Sequence, residues 1–174
     1  GGGVYLDNGG LVTASILAGN VATNGSRYGG GAYLYNAGMI TNSLLRGNRS
    51  RWGGGAYLWG GGVNSGNAKL IDCDVVQNLA AVRASGEGGA GIAGNYKSFV
   101  SDCRIVSNTI VQYAGSGYNT GVSVGEGSTV RNCLIAYNSG GNYGGGAGCG
   151  RGRVFTNCVI RNNSAANGGG VYIT

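Results

Sequence analysis

Proline and histidine are absent from this 174-residue chain, methionine occurs once, phenylalanine twice, and only 10% of the residues carry charge. With no proline, every residue keeps a backbone N–H, as a chain of strands that all donate to hydrogen-bond ladders requires. With no histidine and no Cys-x-x-Cys pair among the five cysteines, a zinc site is not expected. Catalysis has little raw material either: the acidic residues are Asp7, Asp72, Asp74, Glu87, Asp102 and Glu126 alone. No apolar run reaches the ~18 residues of a membrane-spanning helix.

Glycine is what the chain has in excess, 40 residues beside 42% hydrophobic ones. That much glycine alone suggests a flexible tract, but Val, Ile, Leu and Tyr recur too regularly for disorder. The net charge is +6, and ten of the twelve basic residues are arginine. This permits contact with an acidic polymer or surface, although a solvated basic face is the simpler reading. The length suits one domain, residues 1–174. Because the chain opens directly on a repeat motif, any targeting sequence is expected to lie outside it, and the chain is expected to be a fragment of a longer one.

Two motifs alternate along the chain. The first is Gly-Gly-Gly-small-Tyr-aliphatic, ending at Leu6, Leu34, Leu58 and Ile173, with degenerate copies around Gly91, Gly121 and Gly146. The second has the form apolar-x-(Asn/Asp)-(Ser/Cys)-x-apolar-x-x-Asn, with Ser15, Ser43, Cys73, Cys103, Cys133 and Cys158 at its Ser/Cys position. Asn20, Asn48, Asn78, Asn108, Asn138 and Asn163 each follow five residues later. From the third glycine to the Ser/Cys is 12 residues in every copy but one, where it is 18, the extra six falling within 59–67. Whole repeats run 28, 24, 36, 30, 25 and 24 residues, so length varies only between the motifs. Constant strands joined by elastic loops describe a solenoid.

Within each motif the apolar residues alternate with period two. One inward column is Val4, Ala32, Ala56, Ile92, Val122, Ala147 and Val171; a second is Leu6, Leu34, Leu58, Gly94, Val124, Cys149 and Ile173. The second motif adds Val12, Ile40, Leu70, Val100, Val130 and Phe155, then Leu17, Leu45, Val75, Ile105, Ile135 and Ile160. The expected fold is all-β, a right-handed parallel β-helix of about six rungs with 24 to 36 residues per rung, its handedness following from the rule for parallel crossovers.

Strings such as NCVIRNNSAANGGGVYI, 157–173, and the GGGAY element resemble the parallel β-helix repeat proteins of bacterial surfaces and secretions, including polymorphic outer-membrane proteins and autotransporter passengers. The resemblance covers essentially the whole chain. It implies an extracellular or cell-surface location and a structural or adhesive role, but the same solenoid also carries polysaccharide lyases and fibres. In pectate-lyase-type relatives, acidic calcium ligands combine with a basic residue; here Arg104 and Asp74 share a column position and read as an exposed cross-strand ion contact.

The asparagine column is expected to be structural, each side chain bonding backbone of its own and adjacent coils. The positions before the Ser/Cys, Ala14, Asn42, Asp72, Asp102, Asn132 and Asn157, form a second polar column. There Asp72 and Asp102 could hold a cation, and corner bonding is the simpler reading. The Ser/Cys column is expected inside, its cysteines acting as small buried free thiols. A GxGxxG at Gly86, Gly88 and Gly91 lacks strand–helix context and indicates no dinucleotide.

Tyr5, Tyr33, Tyr57 and Tyr172 occupy an outward position, with Tyr35 and Trp59 two residues further on in their copies. This aromatic face either binds sugar rings or a protein, or stacks on itself. Ligand contact is also expected on the longest loops, 79–90 and 109–120. The expected function is a non-catalytic surface spacer, adhesive module or fibre subunit; the alternative is a carbohydrate-binding or polysaccharide-degrading β-helix. No cofactor, metal, membrane span or specific nucleic acid is expected. The expected partners are further rungs of the same chain or other copies end to end, with an acidic surface or polysaccharide as a further candidate.

Overall fold

A computed structural model describes residues 1–22, 27–61, 67–82, 88–112 and 119–174. Its secondary structure is all β, with no helix among the described residues, and its strands lie in three parallel sheets. The first sheet collects the seven glycine-motif strands in chain order: Val4–Asp7, Ala32–Tyr35, Ala56–Trp59, Ile92–Gly94, Val122–Ser123, Ala147–Cys149 and Val171–Ile173. Its register joins Val4, Ala32, Ala56, Ile92, Val122, Ala147 and Val171, the first apolar column read from the sequence.

The second sheet is built from the Ser/Cys motif. Met39–Arg46 and Lys69–Val76 are continuous strands. On either side of them the motif is divided in two: Leu11–Thr13 and Ile16–Ala18, Phe99–Ser101 and Arg104–Val106, Thr129–Arg131 and Leu134–Ala136, Val154–Thr156 and Val159–Arg161. The register aligns Val12 with Ile40, Leu70, Val100, Val130 and Phe155, and Leu17 with Leu45, Val75, Ile105, Ile135 and Ile160. These two columns and the two of the first sheet meet in one hydrophobic core. A fully buried Leu, Ile or Val contributes about 1.5–3 kcal/mol, so the like-on-like stacking of period-two columns is the main stabilising term.

The bend inside each second motif has a local cause. Ala14, Asn42, Asp72, Asp102, Asn132 and Asn157 all have left-handed backbone angles, φ between 48° and 57°. Asn and Asp tolerate this region far better than other non-glycine residues, which is why they occupy five of the six positions.

A third sheet, Arg49–Ser50, Leu79–Val82 and Thr109–Gln112, departs from the sequence reading. Single bridges extend it to Val21 at one end and through Ser139 to Ser164 at the other. The segments 79–90 and 109–120 therefore begin as paired strands, and only 83–87 and 113–118 of them lie outside the described residues. Residues 62–66 of the expected insertion and Gly86 of the GxGxxG also lie outside. Ala80, Ala90 and Ile110 form a small apolar cluster beneath the third sheet.

Candidate functional site

Four sets of side chains could carry function: the asparagine column, the Ser/Cys column, the acidic bend positions and the aromatic face. The asparagines form one continuous hydrogen-bonded ladder. Each donates its backbone N–H and its Nδ2–H to the Oδ1 of the asparagine one rung on, from Asn20 through Asn48, Asn78, Asn108 and Asn138 to Asn163, at 2.9–3.0 Å. The remaining Nδ2 proton of Asn48, Asn78, Asn108, Asn138 and Asn163 goes back to the carbonyls of Leu17, Leu45, Val75, Ile105 and Ile135. Asn48, Asn78, Asn108 and Asn138 are buried. Every polar atom of these buried amides is used, so the inner rungs of the column leave nothing free for a ligand.

The ladder explains the third glycine of the first motif. At Gly91 a Cβ would sit 2.6 Å from the Gly121 carbonyl oxygen, 2.8 Å from Ile105 Cγ2 and 3.0 Å from Asn108 Nδ2. The same amide packs on Gly3, Gly31, Gly55, Gly121 and Gly146 from Asn20, Asn48, Asn78, Asn138 and Asn163. The two motifs are therefore complementary surfaces, the glycine making room for the asparagine.

Serine and cysteine alternate in their column because they make the same bond. Ser15 and Ser43 donate from Oγ to the carbonyl two residues back at 2.7 Å. Cys73, Cys103, Cys133 and Cys158 do so from Sγ at 3.0–3.3 Å. All five cysteines are free thiols; Cys73, Cys103 and Cys133 are buried, Cys149 and Cys158 partly exposed. Hydrogen bonds to the Cys133 and Cys73 thiols, together with burial, push Cys103 well above the ordinary thiol range, the opposite of a nucleophile.

At the bends, Asn132 Nδ2 donates to Asp102 Oδ1 at 2.9 Å and Asn157 Nδ2 to Asn132 Oδ1 at 2.9 Å. Those bends thus bond one another. The bond from Asn132, and then one from Ser101, holds the Asp102 carboxyl below its usual range. Arg104 Nε meets Asp74 Oδ1 at 2.7 Å with both side chains half exposed, a pair contributing under about 1 kcal/mol. Among the described residues no group of three or more His, Cys, Asp or Glu is placed to hold a metal ion.

The aromatic face is a packed cluster on the outer side of the first sheet. Tyr5, Tyr33 and Tyr57 stack with ring centroids 5.2 and 5.4 Å apart, and Tyr35 pairs with Trp59 at 6.0 Å. Tyr28 and Trp52, just before their glycine triads, close over the column: Tyr28 lies 4.4 Å and Trp52 6.3 Å from Tyr57. Of the two readings of this face, the Tyr57 ring follows the self-stacked one, since its exposure is 1%. Burial raises its phenol pKa and pushes that of Tyr33 up to about 12. Tyr5 is exposed, and Tyr172 stands apart, paired with Tyr143 at 4.6 Å. Sequence reasoning missed Tyr28 and Trp52; an aromatic directly before a glycine triad was their signal. No family model, no curated protein and no solved structure matches the chain.

Proposed function

We propose that the chain is a rigid, non-catalytic structural module of an extracellular or surface-displayed protein, coiled as a right-handed parallel β-helix and extended by further rungs at its ends. The observation that carries this reading is the asparagine ladder, which runs unbroken through six rungs in one direction. A directional ladder has complementary ends: Asn20 offers an open Oδ1, and Asn163 an open N–H, to a further rung. The outermost strand Val171–Ile173 also presents an apolar edge, with Ile173 of the inward column 75% exposed. Such edges pair readily with another strand of matching pattern. Whether that strand comes from the same polypeptide or from another copy, the added rung continues the same four columns. The resemblance of the repeat to bacterial surface β-helices supports the location and the spacer role.

The reading is tested by small-angle scattering and sedimentation of the chain across a concentration series. The stacked strands of the first sheet span six steps of ~4.8 Å, about 29 Å, so association end on should lengthen a rod without widening it. A compact monomer that stays monodisperse at high concentration would sink the end-on extension. Release of reducing ends from any of a panel of acidic and neutral polysaccharides would sink the non-catalytic reading and favour the lyase or hydrolase alternative.

A further inference from the structure

The tyrosine column of the first sheet is interrupted. Ala93 pairs with Tyr57 in register, Ser123 pairs with Ala93, and Gly148 pairs with Tyr172. Three consecutive degenerate copies of the glycine motif have thus replaced an aromatic ring by a small residue. Above this stretch opens a cleft of about 330 Å³, lined by Trp52, Tyr172, Asn119, Arg153, Ser123 and Gly148 among others. Its size falls within the ~300–1,000 Å³ of small-ligand clefts. From the rung of Trp52 to that of Tyr172 is four steps of ~4.8 Å, about 19 Å, so the cleft suits an elongated ligand.

Its polar groups are not satisfied internally. Asn119 is only 5% exposed, yet its Oδ1 has no hydrogen-bond partner, and among the described residues its Nδ2 makes a long 3.4 Å bond to Ser123 Oγ. The Nε of Arg153 is also buried without a partner. The other buried asparagines, Asn48, Asn78, Asn108 and Asn138, use every polar atom of their amides, whereas an unbonded guanidine Nε also occurs outside the cleft at Arg27, so it is the unpaired Asn119 Oδ1 that is the exception and calls for a ligand. Glycine at 148 preserves the arrangement, because a Cβ there would overlap the Asn119 amide. The Asn χ2 torsion is soft, so the amide can turn to a ligand without backbone movement.

We propose that this cleft binds an acidic oligosaccharide, a chain of pyranose rings bearing carboxylates. Ring faces stack on Trp52 and Tyr172, a hydroxyl donates to Asn119 Oδ1, and a carboxylate accepts from the Arg153 guanidinium. The net charge of +6 draws such a polyanion to the surface. The site needs no end-on assembly and stands apart from the spacer reading.

Titration calorimetry of the full chain with hexagalacturonate tests it, with the methyl-esterified hexamer and a short polyglutamate as probes of charge and ring separately. Saturable binding of the acidic hexamer is expected, weakened about ten-fold or more by Arg153→Gln and by methyl esterification, since each removes a charge-assisted hydrogen bond. Ser123→Trp, which fills the floor, should abolish it while circular dichroism stays unchanged; if that variant misfolds, Arg153→Gln and Tyr172→Ala carry the test. No saturable binding, equal binding by Arg153→Gln and the unsubstituted chain, or equal competition by polyglutamate each overturns the proposal.

Discussion

Replacing Asn108 by alanine should be among the most damaging single changes in this protein, and the size of the loss follows from counting orphaned groups. Asn108 Nδ2 donates to the Val75 carbonyl and to Asn138 Oδ1, both at 2.9 Å, while its Oδ1 accepts from the backbone N–H and the Nδ2 of Asn78, also at 2.9 Å. Alanine removes all four bonds. The Val75 carbonyl, the Asn78 N–H and one Asn78 amide proton are then stranded in a buried site, whereas Asn138 Oδ1 keeps the Asn108 backbone N–H at 3.0 Å. At about 1–3 kcal/mol for each buried unsatisfied group, and with incomplete additivity, the expected loss is about 3–6 kcal/mol. Asn163→Ala breaks three comparable bonds, from Asn138 and to Ile135, but on an outer, half-buried rung that water can reach. It should cost only about 1–2 kcal/mol. Urea unfolding followed by far-UV circular dichroism measures both. If Asn108→Ala costs under about 1 kcal/mol, or no more than Asn163→Ala, the ladder is not what holds the rungs together.

Glycine substitutions should divide by cause in the same unfolding assay. Gly91→Ala, which meets the Gly121 carbonyl, Ile105 and Asn108, should be severely destabilising, whereas Gly47→Ala, with nothing within 4 Å but φ of +62°, should cost only about 1–2 kcal/mol. Under native conditions iodoacetamide should modify the partly exposed Cys149 and Cys158 before Cys73, Cys103 and Cys133, and intact mass after denaturation without reductant should show all five alkylated. Stability should fall in alkali: the Tyr33 phenol, raised to about 12 by burial, favours the folded state below about pH 10 and loses that contribution as pH climbs through 12. Tyr57 is raised for the same reason and acts in the same direction. An unfolding midpoint that does not move between pH 9 and pH 12 would contradict the burial of this cluster.

The four apolar columns and both polar ladders were legible because a two-residue period survives any change of loop length. Register in the second sheet matches the sequence alignment at every rung. The third sheet was not legible: Arg49 and Ser50 carry no apolar alternation, and its inward residues Ala80 and Ile110 cover only a small cluster. The left-handed bend before each Ser/Cys was written in the chain as Asn or Asp, but reading those residues as polar partners hid their conformational role. Tyr57 was placed on the correct face, and its burial depends on Tyr28 and Trp52, which lie outside the repeated motif. The cleft was least visible, since it is made by what three degenerate copies lack.

The abundance of glycine has a physical answer in the coupling of the two motifs. A glycine in a strand costs roughly 0.5–1 kcal/mol relative to alanine, because the unfolded chain loses more freedom on folding. Each step of the ladder returns three side-chain hydrogen bonds, two from one asparagine to the next and one back to a carbonyl, at about 0.5–1.5 kcal/mol each. The bonds outweigh the glycine only where the amide can lie flat on the strand, and a Cβ at Gly31, Gly55 or Gly91 forbids that. Loss of either partner therefore strands the other. The five residues from Ser/Cys to asparagine are constant in every copy, whereas the path from third glycine to Ser/Cys tolerates an insertion: between Gly55 and Cys73 it is 18 residues instead of 12, and Asn78 still packs on Gly55.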